Sequence, residues 1–352
     1  MKVNNSFEGQ TIYVGLDVHA KSWSVATFSE HTALKRYTLS PPSSKKLHDS
    51  LNKLYPKAHF KCCYEAGFSG FWIQRELEGL GISTMLVNAP DIPVSNKDRK
   101  RKTDARDASK IARELRAGNL TSIYVPSTIA EKDRGLVRYR SFLVKDQRRI
   151  KQRIKMHIHL QGYLYNLVQL NWSKRSIDLL EEFANEQECK DVYLISCIDQ
   201  LRRLKDIESG VNTKIRELSK ADKYRSISYL LQSIPGVSVL GSMIIITELI
   251  DIKRFRNLDH LCSFVGLVPD TRSSGEVQRV GGLTYRANKR LRTLLIEASW
   301  IAIRHDNSLS IAYSNYCKKM RGQKAIIKIA RKLLSRIRYV WLNQQPYMLN
   351  RA

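Results

Sequence analysis

Between Thr11 and Asn88 the chain passes five times through short runs of β-forming residues, and helical segments separate the last three runs. That order leaves few folds open. Thr11 to Leu16 (TIYVGL), Trp23 to Phe28 (WSVATF) and Ala33 to Leu39 (ALKRYTL) read as consecutive strands. Ser43 to Leu54 opens with a capping Ser and carries Leu47, Leu51 and Leu54 at helical spacing. His59 to Tyr64 predicts a fourth strand, Phe71 to Leu80 a short helix stopped by Gly81, and Ser83 to Asn88 a fifth strand. A further helix runs from Asp104 to Ala117 and ends at Gly118. Three meandering strands followed by α/β crossovers predict a mixed sheet with helices packed on it.

The rest reads as helical. From about Ala130 to Tyr229 Gly and Pro almost vanish, and Ile198, Leu201, Leu204, Ile207, Val211, Ile215 and Leu218 recur as in a coiled-coil seam. Such a seam either joins two copies of the chain or packs on the chain's own helices, and self-association is the expectation. Near Ser233, Ile234-Pro235-Gly236-Val237 and Leu240-Gly241 precede an apolar helix, as in a helix-hairpin-helix whose turn and amides grip phosphate. Lys324 to Trp341 predicts a basic amphipathic helix with its Lys and Arg facing nucleic acid. Domains are expected over 1–127, 128–228 and 229–345.

Charge narrows the partners. Sixty Lys and Arg stand against 33 Asp and Glu, a formal net charge of +27, which draws polyanions and above all nucleic acid. The six cysteines form no C-x-x-C pair, so free thiols in a reducing cytoplasm fit better than a zinc site. The polar start MKVNNSFEGQ does not read as a signal peptide, and the longest apolar run, near Ser242 to Ile250, is too short for a bilayer. No membrane partner is expected.

In so basic a chain, acids at strand ends are informative. Asp17 ends the first strand, Glu65 the fourth, and Asp104 and Asp107 open the helix in KTDARDA. Spacing i, i+3 puts the last two on one helix face. If strands one and four are neighbours, Asp17 and Glu65 also meet. Carboxylates this close repel unless a cation lies between them, and hard oxygen ligands suit Mg²⁺, with Mn²⁺ as the alternative. Two such ions can clamp the attacking and leaving oxygens of a phosphodiester. Taken singly, each acid has a duller reading as a helix cap or a surface residue. Lys97, Arg99, Lys100, Arg101, Lys102 and Arg106 surround the last pair and are placed to hold a nucleic-acid backbone.

Further on, FVGLVPDTRSSG and then YRANKRLR read as a Gly/Ser-rich loop between two basic helices. Serines in such loops are usually structural, although a hydroxyl there could attack phosphate if activated. Arg286, Lys289, Arg290 and Arg292 are candidate nucleic-acid contacts.

The series GLDVH, YEAG, TDARDA, SIPGV, FVGLVP, SSG and ANKRLR resembles the DEDD transposases of insertion sequences in the one-hundred-and-ten family, the bridge-RNA-guided recombinases. The resemblance spans nearly the whole chain in order. It implies a RuvC-like (RNase H superfamily) mixed-sheet domain, a helical coiled-coil region, and a mainly helical transposase domain. It carries the acids onto Asp17, Glu65, Asp104 and Asp107, and a nucleophile onto Ser274; a one-residue slip would exchange Ser274 with Ser273. Departures lie at Ala66-Gly67, where relatives often have Thr before Gly, at Gly275-Glu276, and at Arg286-Ala287-Asn288. The implied activity is Mg²⁺-dependent cutting and rejoining of donor and target DNA through a phosphoserine intermediate, guided by a noncoding RNA, in a dimer or tetramer. The alternative is a hydrolytic RuvC-like nuclease, such as a junction resolvase, without a covalent intermediate. The expected location is the cytoplasm, at the nucleoid.

Overall fold

The structure, a computed structural model, describes residues 7–93, 104–163, 170–186, 190–274 and 277–349, with the side chains of 271–280 left aside. The chain is mixed α/β and divides into two compact units, Met1–Val125 and Pro126–Ala352.

The first unit is built on a five-stranded sheet of order β3-β2-β1-β4-β5. β1 (Thr11–Val18), β2 (Trp23–Phe28) and β3 (Ala33–Leu39) form an antiparallel meander. β4 (His59–Glu65) and β5 (Ser83–Val87) join it in parallel, as their helical crossovers require. α1 (Ser44–Leu54) starts at Ser43, whose side chain accepts from the Lys46 amide. α1 and α2 (Trp72–Gly79) cover one face, where Leu47, Leu51, Ile73 and Leu77 cluster with Ile12, Val14, Leu16, Cys62 and Tyr64. α3 (Asp104–Arg116) covers the other through Ile111 and Leu115, which meet Cys63 and Val87. The expected neighbouring of strands one and four is present: β1 and β4 run side by side from Thr11↔His59 to Leu16↔Tyr64.

Among its described residues the second unit is helical apart from one hairpin. α4 (Thr128–Leu160), α5 (Lys174–Asn185) and α6 (Val192–Ser219) share a core of Ile150, Ile154, Ile177, Leu180, Ile198 and Leu201. The seam predicted on α6 is therefore covered by the chain's own helices. Val211 and Ile215 are buried too, while Ile207 is 45 % exposed. α7 (Asp222–Gln232) and α8 (Val239–Leu249) flank the predicted turn, and Ser238 caps α8 by accepting from the Gly241 amide.

α9 (Leu258–Val265), a hairpin of β6 (Pro269–Ser274) and β7 (Val277–Leu283), α10 (Lys289–His305), α11 (Asn307–Cys317) and α12 (Gly322–Asn343) follow. Two expectations are corrected here. The Gly/Ser-rich segment is a paired hairpin rather than a loop, and the helix before it, Leu-Asp-His-Leu-Cys-Ser-Phe-Val, is apolar rather than basic. The basic amphipathic helix near the end forms as α12, but it lies in the core through Ala325, Ile326, Ile329, Ala330, Leu333, Leu334, Ile337 and Val340. Two of its cations turn inward: Arg331 pairs with Asp259 at 3.0 Å, and Arg336 pairs with Asp306 and donates to Ser308 Oγ at 2.6 Å. Lys324, Lys328 and Lys332, one turn apart, make its exposed row.

Candidate metal centre and serine hairpin

Strand alternation sets the first arrangement. Ile12, Val14 and Leu16 point into the α1/α2 core, so Gly15 and Asp17 belong to the face that α3 covers. Gly15 permits the close crossing: a Cβ there would lie 2.1 Å from the Ala108 carbonyl oxygen and 2.5 Å from the Ala112 amide nitrogen. Ala108 and Ala112 follow Asp104 by one and two helical turns, so the start of α3 lies over the end of β1. On the neighbouring strand, Glu65 follows Tyr64 just as Asp17 follows Leu16 in the paired register.

The outcome is an open cavity of about 510 Å³ lined by Asp17, His19, Glu65, Asp104, Asp107 and Lys110 among others. All four acids named from the sequence thus line one cavity of the first unit. Arg106 is exposed on the same helix, while Lys97, Arg99, Lys100, Arg101 and Lys102 lie outside the described residues.

His19 was not among the sequence candidates. Its Nε2 stands 3.4 Å from an Asp17 oxygen and 3.4 Å from an Asp104 oxygen, between the two carboxylates. The backbone pins it, because the His19 amide donates to the Ser22 carbonyl at 3.0 Å across the β1–β2 turn. Burial raises the Asp17 carboxyl above its ordinary 3.8; His19 lowers it, and the neighbouring Asp104 and Asp107 charges raise it further. A half-buried carboxylate held near two others is costly when ionised unless positive charge joins it. The donor set, carboxylate oxygens with one imidazole, fits a divalent cation.

The second arrangement lies in the other unit. Ser273 and Ser274 are the last residues of β6, across from Gln278 and Val277, and Gly275 and Glu276 lie outside the described residues. The base of this hairpin is clamped by the motif residues around it. Gly266 ends α9 at φ +81°, and a Cβ there would come within 2.1 Å of the Ala287 Cβ. Arg292 donates to the carbonyls of Thr284 at 2.8 Å and Gly266 at 3.3 Å, and Arg290 lies over the Phe142 ring. These two proposed nucleic-acid contacts therefore face protein, whereas Arg286 and Lys289 are exposed.

Asn288 caps α10 through the Leu291 amide and donates to Glu248 at 2.8 Å. Glu248, buried on α8, also receives both arms of Arg138 from α4. Burial pushes the Glu248 carboxyl up, but the Arg138 and Asn288 hydrogen bonds outweigh it and hold it below its ordinary 4.5. Sequence reasoning passed over Glu248 inside an apolar run; one acid among Met243, Ile244, Ile245 and Ile246 was the available signal.

Residues 228–315 match the family described as "Transposase IS116/IS110/IS902 family". Residues 14–164 match the DEDD transposase model of the IS110 group, described as "Transposase". Among curated relatives, the chain is similar to putative transposase y4qE of Sinorhizobium fredii, 32 % identical over 69 % of this chain and 58 % of that protein. It is also similar to the transposase for insertion sequence element IS1533 of Leptospira borgpetersenii, 28 % identical over 82 % of this chain and 84 % of the relative. The transposase for insertion sequence element IS1111A of Coxiella burnetii is 25 % identical over 80 % of this chain and 77 % of its own. The chain spans well under two thirds of y4qE, and most of the other two.

Proposed function

This chain belongs to the IS110 family of DEDD transposases, and from that premise we propose that it cuts and rejoins DNA through two sites, the acidic cavity and the serine hairpin. The observation that carries the reading is one cavity lined by Asp17, Glu65, Asp104 and Asp107, in which Asp17 and Asp104 lie close enough to share an ion. The antiparallel meander with two parallel strands added beside it supports a RuvC-like domain.

Asp17, Glu65, Asp104 and Asp107 hold Mg²⁺ in this reading. A bound divalent ion supplies stabilisation of charge on the phosphate oxygens. The chain's own groups do the rest. The Ser274 oxygen bonds to phosphorus as the bond from phosphorus to a sugar oxygen breaks, and the serine proton ends on that departing sugar oxygen. Attack by a hydroxyl of the other DNA strand reverses these steps, joins the new strand and returns the proton to Ser274. Lys110 in the cavity, the exposed Arg286 and Lys289, and the lysine row of α12 hold backbone phosphate.

Target choice rests on a folded noncoding RNA that pairs with donor and target DNA, which suits a chain of net charge +27 without a base-reading motif. Subunits work as a dimer or tetramer, at the nucleoid. The test is a suicide DNA substrate incubated with Mg²⁺, the protein and the RNA that copurifies with it. Wild type should yield a covalent protein–DNA adduct mapped to Ser274, and Ser274→Ala should yield none while still binding RNA. Cleavage without any adduct would replace this reading by hydrolysis at the acidic cavity alone. An adduct that survives Ser274→Ala would move the nucleophile elsewhere.

A further inference from the structure

We infer that His19 is an inner-sphere ligand of the cation held by Asp17 and Asp104, and that its nitrogen tilts the site toward Mn²⁺ over Mg²⁺. The inference rests on the proposed metal site and goes beyond its four acids.

Three observations meet here. First, Asp17 and His19 stand two positions apart, with Val18 between them, where β1 leaves the sheet, and His19 lines the same cavity as the carboxylates. Second, one ligand atom each from Asp17, His19 and Asp104 lies within 4.8 Å of the others, with both imidazole–carboxylate separations at 3.4 Å. Neighbouring ligands of a six-coordinate ion with bonds of about 2.1 Å stand roughly 3 Å apart, so a small inward movement closes the set. Third, the His19 side chain is 50 % exposed and that of Asp104 63 %, so both have room for that movement.

Chemistry then decides the preference. Mg²⁺ favours oxygen and keeps water in place of nitrogen, whereas a first-row transition ion accepts imidazole readily. A site of carboxylates alone discriminates weakly between the two ions. Adding one nitrogen donor strengthens Mn²⁺ and leaves Mg²⁺ nearly unchanged. The competing role for His19 is that of a removable counter-cation, which an incoming ion simply displaces. In that case both metals would bind as well or better once the imidazole is gone.

The experiment uses the full chain and titrates Mn²⁺ by electron paramagnetic resonance, with Mg²⁺ measured by competition. His19→Gln should weaken Mn²⁺ on the order of tenfold while Mg²⁺ changes by less than about threefold. Pulsed resonance of bound Mn²⁺ should display a nitrogen coupling in wild type that disappears in His19→Gln. Asp17→Asn serves as the control for the site itself and should abolish both metals. If wild type binds Mn²⁺, Asp17→Asn does not, and no nitrogen coupling is seen, His19 is not a ligand although the acidic site stands. If Asp17→Asn and wild type bind alike, the acidic site fails and the His19 role falls with it.

Discussion

The Arg138 guanidinium grips the Glu248 carboxylate with two hydrogen bonds, 2.7 Å from Nε to Oε1 and 2.6 Å from Nη2 to Oε2. The pair joins helices 110 positions apart in the chain, and through Asn288 it reaches the segment that follows the serine hairpin.

Arg138→Met should destabilise the second unit by about 3 kcal/mol, the low end for breaking a buried ion pair, because Arg138 itself is 37 % exposed. Chemical denaturation measures it. Glu248 is held below its ordinary value, so the native state releases that proton more readily than the unfolded chain. Its stabilisation is present above about pH 4.5 and fades as pH falls through the lowered native value. In Arg138→Met that acid-side loss of stability should shrink. An unchanged acid limb would mean that other carboxylates govern it.

Asp17 has the opposite sign. Its native carboxyl sits above 3.8, so the folded chain holds the proton longer than the unfolded one, and stability declines as pH climbs from there. Asp17→Asn should therefore raise the melting temperature of the metal-free protein at neutral pH, with the gain vanishing below about pH 3.8. Adding Mn²⁺ should reverse the ranking, since only wild type gains from binding. Scanning calorimetry with and without the ion checks both halves.

Gly15→Ala tests how closely α3 must cross β1. A methyl group 2.1 Å from the Ala108 carbonyl cannot fit without moving the helix. The variant should lose about 2 kcal/mol or more and bind Mn²⁺ more weakly, although no ligand has changed. A variant with native stability and affinity would contradict the packing described.

The cations separate by what they touch. Arg286→Ala and Lys289→Ala should each lower the salt dependence of nucleic-acid binding by about one unit of slope. Arg292→Ala should instead reduce stability by about 1–2 kcal/mol, because its guanidinium is spent on the Thr284 and Gly266 carbonyls. Binding titrations across salt concentrations, beside melting curves, distinguish the two classes.

Much of the first unit was legible because local patterns and the short connections agree. β-branched runs mark the strands, Ser43 and Gly81 mark the edges of helices, and carboxylates at strand ends stand out in a basic chain. His19 was not legible. A histidine just past a strand looks like any surface residue until α3 crosses overhead, and that crossing depends on Gly15 meeting Ala108 and Ala112. The serine segment misled for a related reason. Its Gly and Ser residues suggest a loop, and its pairing is set by β7 and by the clamp at Gly266 and Arg292 rather than by local preference. The charge and amphipathicity of α12 were legible, but amphipathicity says that one face is covered without saying that Arg331 and Arg336 find acids of the same unit.

The eight core positions of α12 also carry a biosynthetic consequence. This helix packs on α7, α9, α10 and α11, so those earlier helices await a late arrival before their shared interior can close. The first unit, Met1–Val125, is compact in itself, and N-terminal domains generally fold while the rest of a chain is still being made. In a nascent chain the acidic cavity can therefore be complete before α12 arrives to close the core of the second unit.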